Sequence, residues 1–440
     1  MKAMPSMLTA SLLAMALVAV DARAADAAGP KFEFHGFVVG SSYLQDQTFL
    51  SGQGSGILIA APTPGASLPI PGSTTSKSGT FFGGDVRQTR FIFNFTGNEA
   101  WQATPKAHLE FDLFGNSNAG ALGYESPNPR LRQAYAELKW GTTTFDVGQH
   151  SAHLLLGQIP ASMAHITNPV AYGAGLIGWR TIGFRVLHAI PLDGMKLELA
   201  AELSHGKWAD ASGATVFPGN TPDAISLAWA AATPQFVGRV KADGKQGALG
   251  WMGWVAGSYE AINLKGFGNT VAPNGVTLQD GSVKKDIGSY AVTAGGNVTF
   301  APVSLAVHAY TGRATGPLAG TMLQFGDIGD IGDIGYWAQL GVFATKQISI
   351  WGIYGASAAD KKDLQNWLNR TGANLTVNTT TVRKDNSVFG GMLRFMDGGY
   401  GLAAEYYAYS TEYLLGNLAN GGGTKSSSAY QLLLSGGYFF

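Results

Sequence analysis

Lys106, His108, Glu110 and Asp112 stand two residues apart in PKAHLEFDLFG, residues 105–115. On an extended chain that spacing puts all four on one face, and Ala107, Leu109, Phe111 and Leu113 on the other. Further cations sit in segments of the same texture: Arg90 in VRQTRFIFNFTG, Arg130 in RLRQAYAELKW, then Arg185, Arg239, Lys241 and Arg394. The chemistry these side chains offer is recognition of charge, because the guanidinium fork matches carboxylate and phosphate. Nucleophilic catalysis needs a nucleophile with an oriented base, and the sequence signals neither. There is no G-x-S-x-G elbow. His35, His108, His150, His153, His165, His188, His205 and His308 are scattered with no sign of a partner constellation. The chain has no cysteine, which excludes disulfides and thiolate metal sites.

What element could hold a charged face and an apolar face back to back? A strand of a soluble sandwich could, with its charges in bulk water. So could a strand of an inside-out barrel, with lipid outside and water inside. The N-terminus favours export. Lys2 precedes an apolar run, Met7 to Val20, and Ala22-Arg23-Ala24 follows. This pattern reads as a signal peptide over residues 1–24, cleaved after Ala24; the run is too short to span a bilayer as a helix. The chain carries 29 basic and 29 acidic residues, a balance that argues against a nucleic-acid partner. It has 61 glycines, 11% aromatic residues and only 13% charged residues, against about 25% charged in an ordinary globular domain. No later stretch approaches eighteen uninterrupted apolar residues, so no transmembrane helix is expected.

Period-two alternation recurs along residues 25–440, broken by turn-rich stretches. It predicts sixteen strands: 31–44, 86–97, 105–115, 130–140, 143–149, 178–190, 195–204, 234–242, 248–260, 286–300, 303–312, 333–345, 347–358, 384–397, 400–412 and 428–440. Splitting off ISLAWAAAT, residues 225–233, is the route to eighteen. Long connections, at 45–80, 115–129, 150–177, 205–233, 261–285, 313–332, 359–383 and 413–427, alternate with tight turns. The fold class is therefore all-β: a transmembrane antiparallel β-barrel of 16 strands, with long extracellular loops and short periplasmic turns, in the cell outer membrane. The last strand, AYQLLLSGGYFF, ends on an aromatic residue, with Tyr430, Leu432, Leu434, Gly436, Tyr438 and Phe440 on one face.

At VRQTRFIFNFTG, AHLEFDLFG and RLRQAYAELKWGTTTFDVGQ the chain resembles the DcaP-like family of trimeric outer-membrane porins, and more distantly the phosphate-selective porins. The resemblance is clearest over residues 85–150 and the terminal strand. It implies three barrels per assembly, passive uptake of small, often anionic solutes such as dicarboxylates, contact with outer-membrane lipid and lipopolysaccharide, and no cofactor. It also implies that the third long connection, 150–177, folds inward. Family members can carry a periplasmic coiled coil before the barrel; here only residues 25–30 separate the cleavage site from the first strand, so the trimer is expected to rest on wall contacts.

Parity then nominates a pore lining of Arg90, Lys106, Glu110, Asp112, Arg185, Arg239, Lys241 and Arg394, and the resemblance adds Arg130, which matches the family motif. Rings of cations select anions. Glu110, Asp112, Glu198, Glu202 and Glu405 have inward parity too, so the alternative is a mixed, nearly unselective or phosphate-type channel. Arg132 shares parity with Ala134 and Ala136 and is expected on the outer wall at a subunit contact. In GDIGDIGDIG, residues 326–335, Asp327, Asp330 and Asp333 could take calcium, but the repeat reads better as an acidic loop entering a strand. An outer-membrane enzyme and a surface adhesin are the remaining functional classes.

Overall fold

The alternating segments form seventeen strands in one antiparallel sheet in the computed structural model of the chain. It describes residues 30–47, 49, 54–56, 58–60, 78–115, 127–150, 153–205, 233–263, 286–318, 320, 322, 330–372, 381–415 and 424–440. In chain order the strands are β1 (Lys31–Gln47), β2 (Ser78–Asp85), β3 (Arg90–Thr96), β4 (Thr104–Gly115), β5 (Asn128–Trp140), β6 (Thr143–His150), β7 (Thr181–Leu192), β8 (Met195–Ser204) and β9 (Gln235–Gln246). Then come β10 (Leu249–Asn263), β11 (Asp286–Phe300), β12 (Val303–Arg313), β13 (Gly332–Phe343), β14 (Ile348–Ala359), β15 (Thr381–Asp397), β16 (Tyr400–Leu415) and β17 (Thr424–Phe439). Each pairs with its neighbours, and β17 closes on β1 from Phe37↔Phe439 to Gln45↔Gln431.

Seventeen segments fill sixteen wall positions. β1 is long enough to take two partners on one edge: Lys31–Phe37 pairs with β3, and Ser41–Gln47 pairs with β2. One crossing strand is thus broken at residues 86–89. Its outward parity changes there, from Phe82 and Val86 before the break to Phe91, Phe93 and Phe95 after it. The sequence reading began this strand at residue 86 and assigned its first half to a loop. Likewise β15 and β17 begin before 384 and 428. Their upper ends, TVRKDN and TKSSS, carry no apolar alternation to read. Residues 225–232, which the sequence reading offers as part of a further strand, and residues 1–24, expected as a signal peptide, lie outside the described residues.

Both faces of the wall follow from side-chain parity. The outward positions are apolar and open: Val255 is 56% exposed, and Phe389, Leu393 and Ile350 stand out in the same way. Tyr259, Tyr290, Tyr336, Tyr354 and Tyr406 form a band towards the long-loop end, and Phe300, Phe343, Tyr400, Tyr438 and Phe440 one at the short-turn end. Paired aromatic bands around an apolar belt are the signature of a barrel sitting in a bilayer. Closure leaves no unpaired sheet edge for hydrocarbon to meet. No helix among the described residues is long and apolar enough to cross a membrane; the crossing is made by strands. The start of β1 and the end of β17 lie at the short-turn end, where Gly36 and Phe440 exchange backbone hydrogen bonds of 2.9 and 3.0 Å.

Candidate pore constriction

The connection after β6 turns inward rather than outward. Its short helix α1 (His153–Leu156) sets Leu154 and Leu155 against Val237, Trp254, Ala256, Ala291 and Tyr310, apolar residues on the inner wall. The chain then crosses the lumen and fastens to the far wall. Ala161 exchanges two hydrogen bonds with the side chain of Gln339, at 2.7 and 2.9 Å. Glu405, fully buried, accepts from Ser162 Oγ at 2.5 Å, from the N–H groups of Met163 and Ala164 at 2.9 and 2.8 Å, and from Tyr407 Oη at 2.6 Å. His165 Nε2 lies 3.2 Å from Gln431 Oε1; burial pushes this imidazole below its ordinary value, so it stays neutral. On the way back Gly175 N–H donates to Ser357 Oγ at 2.8 Å, and Asn386 donates to the carbonyl of Gly173 at 2.9 Å. The loop is a strap across the lumen, as expected for 150–177.

Facing the strap is a cluster of charge on β3, β4 and β5. Arg130 forks onto Asp112 at 3.0 and 2.7 Å. Arg132 reaches Glu110 at 2.5 Å and Asp112 at 2.9 Å. Arg90 lies 3.4 Å from Glu110 and donates to Thr167 of the strap at 3.2 Å. The expectation that Arg132 faces outward is wrong, and the reason is local. The register runs Glu110↔Gln133, then Phe111↔Leu131. The extra residue is Arg132, and this bulge turns it into the lumen with Arg130. Gln149, on β6, donates to the carbonyl of Arg132 at 2.8 Å.

Arg180 joins from the end of the strap. Alternation over the expected strand 178–190 gives it the parity opposite to Arg185 and so passes over it, but β7 begins only at Thr181, and Arg180 is not bound by that alternation. Its guanidinium lies 4.8 Å from the ring centre of Trp179. Among the described residues it has no ion pair. Burial, and next the Arg130 and Arg132 cations, lower it to about 10, so it is charged at neutral pH. Four guanidinium groups thus converge on two carboxylates. Arg90, Arg132 and Arg180 share with Ile159, Ile166 and Pro169 of the strap the lining of a cavity of about 130 Å³.

The other nominated residues also occupy inward positions, in a different state. Arg185 pairs with Glu202 at 2.7 Å, Arg239 with Glu198 at 2.7 Å and Lys241 with Asp243 at 3.7 Å. Lys106 lies near the short-turn end, 3.6 Å from Glu137. Arg394 is set apart across the strap: its guanidinium lies 5.4 Å from the Trp351 ring centre, and it has no ion pair among the described residues. It borders a second cavity, of about 300 Å³, which shares Ile159 and Ile166 with the first. Two carboxylates of the acidic repeat are engaged by neighbouring side chains. Asp330 pairs with Arg313 at 2.9 Å, and Asp333, on β13, accepts from Thr315 Oγ1 at 2.8 Å. Asp327 lies outside the described residues.

No family model and no curated protein matches the sequence. Solved structures do match the fold. The outer membrane channel DcaP of Acinetobacter baumannii superposes with a TM-score of 0.61 at 14% identity, over 95% of this chain and 100% of that one. The anion-selective porin from Comamonas acidovorans gives 0.52 at 12% identity, over 93% and 100%. This is the porin fold. Within it, the cavity between the strap and the arginine cluster is the candidate constriction. At these identities the likeness shows architecture, and the charges at the constriction are this chain's own.

Proposed function

We propose that the protein is an outer-membrane porin: a water-filled channel for passive diffusion of small hydrophilic solutes, with a preference for anions. It acts as a channel rather than an enzyme, and its long-loop end faces outward. The observation that carries the preference is the excess of guanidinium over carboxylate at the constriction: Arg90, Arg130, Arg132 and Arg180 against Glu110 and Asp112. Elsewhere in the lumen Arg185 and Arg239 are matched by Glu202 and Glu198 and give little net field. Selectivity follows the charge at the narrowest point, where hydration is thinnest and the dielectric lowest. The apolar belt is the surface that outer-membrane lipid and lipopolysaccharide would cover, and a homotrimer would bury part of it.

The test is a planar bilayer with the purified mature chain in a potassium chloride gradient. The reversal potential is expected on the chloride side. A potential on the potassium side overturns the anion preference, and an absence of single-channel conductance overturns the channel itself. Liposome swelling across sugars, dicarboxylates and phosphate then ranks the solutes.

A further inference from the structure

We infer that the constriction cavity selects singly charged anions bearing an apolar group, aryl or short branched-alkyl monocarboxylates, over dicarboxylates, with Arg180 as the residue that holds the carboxylate. This rests on the anion-channel reading and narrows it. Two features of the cavity carry it.

The first is that the cations are not equivalent. Arg130 and Arg132 already spend their forks on Asp112 and Glu110, and Arg90 is shared between Glu110 and Thr167. Arg180 alone of the four makes no ion pair among the described residues. Its guanidinium is backed by Trp179 at 4.8 Å, which leaves its N–H edge available for a bidentate carboxylate. One open fork accepts one carboxylate. The other three arginines set the potential around it without having to break their own pairs.

The second is the apolar part of the lining. Leu156, Ile159, Ile166 and Pro169 supply it, and none of these side chains offers a hydrogen bond; of the polar lining residues, Gln133 donates to Glu110, Thr167 accepts from Arg90 and Tyr172 donates to the Gly178 carbonyl. A second carboxylate carried to that part would lose its water with no partner in return, which is heavily disfavoured. A phenyl ring or branched alkyl group gains there by leaving water. This apolar part is also held in place, because the strap that supplies it is bonded to Glu405 and Gln339. A cavity with one open cationic fork and an apolar part to its lining therefore suits an amphiphilic monoanion.

The experiment measures block of single-channel chloride current by benzoate, acetate and succinate added separately to the purified mature porin. Benzoate is expected to block at a concentration at least tenfold below acetate and below succinate. Arg180→Gln should raise the benzoate value at least tenfold, while Ile166→Ser should bring benzoate close to acetate. Arg180 has no ion pair to lose among the described residues, and retained conductance in each variant reports an intact barrel. A chloride-selective channel that binds succinate more tightly than benzoate, or in which Arg180→Gln leaves benzoate block unchanged, overturns this inference alone. A cation-selective channel overturns the reading beneath it.

Discussion

At the scale of single residues, the strap hangs on Glu405. A fully buried carboxylate is costly unless its oxygens are satisfied, and here four donors converge on it: Ser162, Met163, Ala164 and Tyr407. Three of the four belong to the strap, so the charge that the wall must satisfy is satisfied only when the strap is seated. Hydrogen bonds to a charged group contribute about 1.5–3 kcal/mol each. Glu405→Gln keeps the volume but removes the charge and turns one acceptor into a donor facing other donors. The expected outcome is a strap that detaches: larger and noisier single-channel conductance with weaker anion preference, in a barrel whose thermal unfolding midpoint still falls. Unchanged conductance would show that other contacts suffice to hold it. Arg180 belongs to the same scale for a different reason. It is the cation whose pairing differs from its neighbours, and alternation over the expected strand 178–190 turned it away from the lumen because the observed strand starts one residue after it.

Elements decide which face a side chain reaches, and here the sequence was legible unevenly. Strand alternation placed Arg90, Glu110, Asp112, Arg185, Arg239 and Arg394 inward because each sits in an unbroken period-two run. It failed at Arg132 because a bulge shifts parity by one residue, and nothing in RLRQAYAELKW marks where the extra residue falls. It failed at Ser78–Asp85 because SGTFFGGD pairs through its backbone while its composition resembles a loop. The strap itself is read from its place in the chain, but its seating depends on contacts far apart in sequence. Gly175 is one of them. It has φ +108°, and a Cβ there would lie 2.1 Å from the carbonyl oxygen of Tyr336 on the wall. Neither the dihedral nor the wall backbone can yield cheaply. Gly175→Ala should therefore cost about 1–3 kcal/mol of local strain and lift the returning arm of the strap. The check is accelerated proteolysis within residues 157–177 relative to the parent porin, and equal cleavage rates would argue against it.

Across the whole molecule, the inner and outer faces exchange the roles they have in a soluble protein. Val255, Leu340, Leu393 and Phe389 point out and are open, while Glu110, Asp112, Glu202 and Glu405 point in and are buried. Such a surface is stable only where hydrocarbon covers it. In water the exposed belt would favour aggregation, and in lipid the closed ladder satisfies the backbone. The consequence is an asymmetry between two substitutions of the same kind. Val255 lies mid-strand on β10, facing outward among Val240 and Val292. Thr144 lies on β6, facing an inner cavity of about 610 Å³ beside Asp146 and Glu198. Val255→Arg puts a charge against the acyl chains near the middle of the belt and should destabilise folding into bilayers by about 2–4 kcal/mol. Thr144→Arg adds the same charge on the wet side, next to carboxylates, and should change folding by far less while shifting conductance. Reversible unfolding in lipid vesicles reads both. Equal costs at the two positions would mean that the apolar face does not meet lipid, and the membrane reading of this barrel would fall with it.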